Sequence, residues 1–277
     1  MARNIKEDRK SFFAYARTKS KCNIRVGDLS DSQGQLISDA TEKAELLNNF
    51  FSSVFTRESV DSIPLPDSCF TGSVDQRLCD ITVDASVIAD KLRALRPDKS
   101  AGDDNLSPRF LKDLSAEIAT PVSLIFRKSL NTSCVPRDWR TAVVSPLFKK
   151  GRRSEPENYR PVSLTSQIVK VVESVLRDEI VKHLDKFTLI KQSQHGFRQG
   201  YSCVSNLLSF LESVTASVDA KQNVDTIYLD FAKAFDKVPH QRLLRKLRAH
   251  GIDGVVCNWI EAWLKDRWQK VRLRIQF

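Results

Sequence analysis

Hydrophobic positions along this chain follow a helical period in most places and form short continuous runs in two. Near the start, Ser11-Phe-Phe-Ala-Tyr15 precedes Arg17, Lys19, Lys21 and Arg25, and Gly27 to Gly34 is rich in Gly, Asp and Ser, which predicts a turn. Ala44, Leu47, Phe50, Phe51 and Val54 then share one face of a predicted helix over 41–54, with Asp39 or Thr41 as its cap. From 56 to 82, Ser, Asp, Pro and Gly are frequent and no period emerges, so a linker and a domain boundary are expected there. Helical spacing returns after Asp84 with Val87, Ile88, Leu92 and Leu95, until Pro97 stops it. Gly102 supplies a tight turn, and Ser107-Pro108 opens a helix carrying Phe110, Leu111 and Leu114.

The second half alternates differently. Thr141 to Phe148 reads as a strand running into the basic turn Lys149-Lys-Gly-Arg-Arg153. A long amphipathic helix is predicted over 162–187, with Ile168, Val171, Val172, Val175, Leu176, Ile180 and Leu184 inward and Glu173, Arg177, Asp178 and Lys182 on its wetter side. After a glycine-bearing loop, 192–202, comes a helix over 204–218, then a strand through Val224, Ile227, Tyr228, Leu229 and Phe231. Pro239 forces a turn, and Gly251 separates a basic helix (242–250) from one with aromatics on one face (255–264). The tail, 265–277, alternates apolar and basic residues as a strand does.

Into the apolar run around residue 230 the chain sets one carboxylate, Asp230, between Leu229 and Phe231. Strands tolerate Asp poorly, and a carboxylate entering a core costs several kcal/mol unless it is paired or holds a metal. Six residues on, Asp236 follows Ala234 and Phe235. An Asp at the end of a buried strand with a turn beyond suits Mg²⁺, which takes one or two carboxylates plus phosphate oxygens and water. The same letters also describe an edge strand with a solvated Asp230 and a helix-capping Asp236.

Charge narrows the choice of partner. The 277 residues carry a net charge of +10, which points to a polyanion, either nucleic acid or an anionic membrane. Seven Lys or Arg against three acids between Arg137 and Arg160 concentrate that balance, although a solvated turn has the same look. Six scattered cysteines show no metal-ligand spacing and read as reduced thiols. The first ten residues lack the apolar core of a signal peptide, and no run reaches the ~20 apolar residues of a membrane span. An intracellular, soluble protein without a membrane partner is expected, nucleus and cytoplasm alike.

Tyr228-Leu-Asp-Phe-Ala-Lys-Ala-Phe-Asp-Lys-Val-Pro-His240 resembles the first catalytic block of reverse transcriptases from non-LTR (LINE-like) retrotransposons, and is most similar to the CR1-like and jockey-like clade. Other blocks follow in the family's order. Lys99 to Asp104 is similar to its Lys-Ser-x-Gly-x-Asp block, Trp139 to Gly151 and Pro156 to Leu164 resemble its two fingers blocks, and Gln192 to Ser202 resembles Gln-x-Gly-Phe-Arg followed by Gly and Ser. Arg267 to Arg272 again resembles the family, where the palm hairpin begins.

That resemblance implies an α+β fold: the fingers and a partial palm of a right-hand polymerase, behind a helical N-terminal segment. The expected divisions are a connector over 1–60, a linker over 61–83, fingers over 84–220 and the first part of a palm over 221–277. It implies templated addition of dNTPs to a DNA primer on an RNA template, with two Mg²⁺ (or Mn²⁺) ions in the intact enzyme. By matched position, Asp230 is the catalytic metal ligand, assisted by the backbone carbonyl of Phe231. Lys149 (with Lys150 as its competitor) and Arg160 hold the triphosphate. Phe235 lies under the sugar and excludes a 2′-hydroxyl by size, while Lys99, Gly196, Phe197 and Arg198 contact nucleic acid. The family's Tyr/Phe-x-Asp-Asp turn has no counterpart, since Asp103-Asp104 lies in another block with no tyrosine before it. The chain is therefore expected to be inactive on its own, and a catalytically incomplete nucleic-acid-binding remnant is the competing expectation. A decayed structural piece and a group II intron-type maturase rank lower.

Overall fold

The computed structural model describes residues 26–59 and 63–273. They belong to two compact units, one drawn from Met1–Phe51, Val144–Ser163 and Lys270–Phe277, the other from Ser52–Val143 and Leu164–Gln269. The Phe-Phe-Ala-Tyr and basic readings over 11–25 lie outside the described residues.

In the first unit, strands β1 (Leu29–Ser30) and β2 (Leu36–Ile37) pair antiparallel across a turn in which Asp31 accepts from the amides of Gln33 and Gln35. Helix α1 (Ala40–Ser53) follows. Of the two expected caps it is Asp39 that acts: its carboxylate accepts from the amides of Thr41 and Glu42, which holds its pKa down. Leu47 and Phe51 on the predicted face join Leu29, Val144 and Tyr159 in a small core. Val144 and Tyr159 belong to β3 (Thr141–Phe148) and β4 (Tyr159–Leu164), which form a three-stranded sheet in the order β4-β3-β5 with β5 (Trp268–Val271).

The second unit is mainly helical. Its helices are α2 (Ala85–Arg93), α3 (Pro108–Asp113), α4 (Ser115–Thr132), the single turn α5 (Arg137–Arg140), α6 (Gln167–Lys186), α7 (Cys203–Asp219), α8 (His240–Ala249) and α9 (Gly254–Leu264). Ser107 caps α3 with Pro108 at its first turn, as the Ser-Pro pair predicts. Ile88 and Leu92 of α2, Phe126 and Leu130 of α4, Val172 of α6 and Val256 of α9 are buried in one core. At its centre Trp259 is fully buried, edge-on to Phe126 and stacked on Trp263, with its indole N–H donating to Ser129 at 2.9 Å.

Four expectations change. The helix expected over 162–187 starts later: Val162 to Leu164 continue β4, which pairs with β3, and the helix begins only at Gln167. The stretch expected to be a linker is packed in part: Ile63 and Ile81 are buried, and Leu78 bridges Ile252, accepting from the Asp253 amide and donating to the Gly251 carbonyl. Glu173, expected on the wet side of α6, is half-buried.

The fourth change concerns the strand expected through Val224 to Phe231. The segment carries no strand pairing, and Ile227, Tyr228, Leu229 and Phe231 are 82–89% exposed. A strand exists only through its neighbours' hydrogen bonds, and β-propensity by itself does not supply them. Among the described residues the overall composition is mixed helix and strand, as an α+β fold requires.

Candidate active site

The site candidates divide between the units. In the first, Lys149 follows β3 and Arg160 lies on β4, and the Lys149 amide donates to the Asn158 carbonyl at 2.8 Å to close the hairpin between them. The turn is built around Asn158, whose side chain donates to the Arg152 carbonyl and to Glu155, and beside which Gly151 takes φ +88°. Tyr159 is buried beneath, its hydroxyl donating to the Arg153 carbonyl at 2.7 Å and its burial raising its pKa. Arg153 covers the Phe148 ring at 4.7 Å. Lys149, Lys150 and Arg160 stay exposed, and none of them forms an ion pair among the described residues. A hairpin that keeps its cations unneutralised is suited to an anionic ligand.

In the second unit, Asp230 sits in the irregular, exposed segment, and the turn over 232–237 follows, with Lys233 at φ +53°. Its far side is fastened: Thr56 donates to the Lys237 carbonyl, and Glu58 accepts from the Gln241 amide at the start of α8 while pairing with Arg242 at 3.3 Å. Phe235 is 77% exposed and meets Phe197 edge-to-face, with centroids 5.9 Å apart. Tyr228 lies 6.5 Å from Phe210 of α7.

Phe197 and Arg198 belong to the loop between α6 and α7. Arg198 stacks over Tyr201 at 4.4 Å and donates to the Lys191 carbonyl, while His195 lies edge-on to Tyr201 and shares a hydrogen bond of 2.9 Å with Ser205. Ser202 and Ser205 cap α7 reciprocally. A cavity of about 550 Å³ opens beneath, lined by Asp185, Gln192, His195, Arg198 and Tyr201 among others. Gly196 faces open space.

Lys99 occupies a turn clamped to the start of α6. Gly102 is buried so closely that a Cβ there would lie 2.5 Å from the Ser166 amide nitrogen, and Gln167 donates to the Ser100 carbonyl at 2.6 Å. On α6, partial burial pushes the Lys170 pKa down, and the charge on Lys99 adds to that push. Glu173 is pushed up by burial, with the charges of Arg267 and Lys170 pulling it back.

The structure thus brings Phe197 to Phe235, and Lys99 into the electrostatic reach of Lys170. Sequence reasoning passed over Lys170, His195 and Phe210. Lys170 was detectable as a cation beside the apolar stripe of α6, whereas His195 and Phe210 gain their neighbours only in the folded chain. Among the described residues no three His, Cys, Asp or Glu side chains come together as a cation cage would need. No described helix is long and apolar enough to cross a membrane.

Comparison with known proteins shows what the chain resembles. Residues 148–277 match the family model for reverse transcriptase (RNA-dependent DNA polymerase). The chain is 26% identical over 252 residues to the probable RNA-directed DNA polymerase from transposon BS of Drosophila melanogaster, covering 87% of this chain and 27% of that protein. It is 30% identical over 151 residues to the probable RNA-directed DNA polymerase from transposon X-element of the same fly, covering 54% and 17%. The RNA-directed DNA polymerase from mobile element jockey, also of Drosophila melanogaster, is 26% identical over 151 residues, covering 54% and 16%. The chain spans between 16 and 27% of the length of these relatives. Residues 148–277 thus match the reverse transcriptases, and the chain is similar to part of the RNA-directed DNA polymerases of LINE-like, non-LTR transposons.

Proposed function

We propose that this chain contributes fingers residues and the opening of a palm to a polymerase that adds dNTPs to a DNA primer on an RNA template. The observation that carries this reading is the block from Tyr228 to His240, which lies within the segment matched to reverse transcriptase. In the proposed roles, Lys149 and Arg160 grip triphosphate oxygens and offset charge on the leaving pyrophosphate. Phe235 lies under the sugar and excludes a 2′-hydroxyl by bulk, since an aromatic face offers no acceptor. Lys99, Gly196, Phe197 and Arg198 face nucleic acid, and Asp236 is structural. Among the described residues five cysteines are free, four of them exposed, which suits a reduced, intracellular setting.

Reverse transcriptases use divalent ions, Mg²⁺ or Mn²⁺, whose chemistry is to activate the primer hydroxyl and neutralise phosphate charge. Asp230 with the Phe231 carbonyl offers one edge of such a site. With one exposed carboxylate and no cluster of ligating side chains among the described residues, the donor set does not close a two-ion site. That observation supports a second reading, a nucleic-acid-binding piece without catalysis.

Primer extension on poly(rA)/oligo(dT) with Mg²⁺ and dTTP, comparing the chain with Asp230→Ala, separates the two. Incorporation lost in the variant supports a working site. Salt-sensitive duplex binding without incorporation supports the binding piece. Neither binding nor incorporation at low salt would sink both.

A further inference from the structure

The glycine-bearing loop is left-handed at two positions, one a glycine, Gly200, and the other an aromatic. Phe197 takes φ +60°, a left-handed conformation uncommon outside glycine, while Gly196 beside it has ordinary φ and open space around it. The result is a phenylalanine that is 91% exposed. Burial does not account for it, because the ring covers almost no core. Its ring plane stands at 89° to that of Phe235, with 5.9 Å between centroids, the edge-to-face arrangement that aromatic quadrupoles favour. Phe235 is itself 77% exposed and rises from a turn whose own backbone is left-handed at Lys233.

Exclusion by size works only if the excluding ring cannot swing aside. A ring this exposed has little packing to fix its rotamer, and Phe197 supplies a lateral stop. The Tyr228–Phe210 contact lies on the other side of Asp230, so the Asp230 segment meets α7 before the carboxylate and the α6–α7 loop after it.

We infer that Phe197 is a positioning residue: its ring props that of Phe235, and through it sets how strictly the polymerase discriminates deoxyribonucleotides from ribonucleotides. The inference rests on the proposed role of Phe235 under the sugar. It moves Phe197 from direct nucleic-acid contact to support of the nucleotide's sugar. In this assignment Phe197 touches no reacting atom.

The test uses the polymerase that carries this segment, assayed with dTTP and UTP in separate steady-state titrations. Phe235→Ala sets the limit by admitting UTP. Phe197→Ala should raise the UTP-to-dTTP ratio of kcat/KM by about 3- to 10-fold, the factor one edge-to-face pair is worth. Phe197→Tyr, which keeps the ring, should restore the ratio, and Phe197→Ala should add nothing in the Phe235→Ala background. In parallel, 4-fluorophenylalanine at position 235 of the 277-residue chain should shift its ¹⁹F resonance when Phe197 becomes Ala. Equal losses with both nucleotides, or an unchanged ratio, would overturn the inference while leaving Phe235 its role. A Phe235→Ala enzyme that still rejects UTP would remove the reading of Phe235 and the inference with it. An unmoved ¹⁹F resonance would show that the rings do not meet, and would overturn the inference whatever the kinetics.

Discussion

Substituting Gly102 by Ala tests whether the Lys99 turn is clamped as tightly as it looks. No left-handed φ is involved, so the cost comes from space alone. The new methyl would stand 2.5 Å from the Ser166 nitrogen and 2.7 Å from the Ser166 Cα and the Thr165 carbonyl carbon, all of them backbone atoms that cannot rotate away. Comfortable contact needs roughly 1 Å more. Backing the turn off by that distance carries the Ser100 carbonyl out of reach of Gln167, whose bond is now 2.6 Å. Overpacking costs about 1–3 kcal/mol and the lost hydrogen bond about 1, so the total is about 2–4 kcal/mol. For a unit of this size the melting temperature should drop by roughly 5–15 °C. The assay is urea unfolding followed by tryptophan fluorescence, since Trp259 reports the same core. Gly196→Ala is the control, because nothing lies within 4 Å of its Cβ position and its φ is ordinary. Its midpoint should stay within about 0.5 kcal/mol of the parent. If both variants unfold at the parental midpoint, the clamp on α6 is not there.

Two further predictions concern titrating groups. Burial raises the Glu173 pKa in the folded chain, so between its unfolded and folded values the native state holds the extra proton and stability falls as pH rises. From the ordinary glutamate range toward neutrality, the parent should therefore lose stability more steeply than Glu173→Gln; parallel curves of denaturation midpoint against pH would refute this. Burial likewise pushes the Cys257 thiol up, with Asp253 and Glu261 adding to it against the pull of Arg248. In native chain at mildly alkaline pH, iodoacetamide should modify Cys69, Cys79, Cys134 and Cys203 well before Cys257, as read by peptide mass spectrometry. Cys257 modified as fast as Cys203 would show that α9 does not seal it.

Where local chemistry decides structure, it was legible in the letters. Asp39 and Ser107 cap the helices expected of them, and the strand over 141–148 has the residues expected, because caps and apolar runs act within a few positions. The start of α6 is hidden because Val162 and Leu164 suit the apolar stripe of a helix as well as a strand, and only pairing with β3 keeps them extended. The run from Val224 to Phe231 shows the limit of pattern reading: its residues favour a strand, but strand pairing depends on partners far along the chain. Of the candidate site, the residue types and their blocks were legible. The pairing of Phe197 with Phe235, 38 positions apart, was not, since no period or motif links them.

One feature of the second unit bears on how such a sequence can decay. No residue from 184 to 243 is buried, yet the residues bounding the stretch are: His183, held by the His250 carbonyl at 2.9 Å, and Leu244. The whole excursion, with Asp230, Phe235 and the Phe197 loop on it, can open locally while the core behind it stays closed. Global stability is then nearly blind to what happens there. A copy of this chain could lose its carboxylate or its aromatic pair and remain as well folded as before, so sound folding carries no information about whether its chemistry survives.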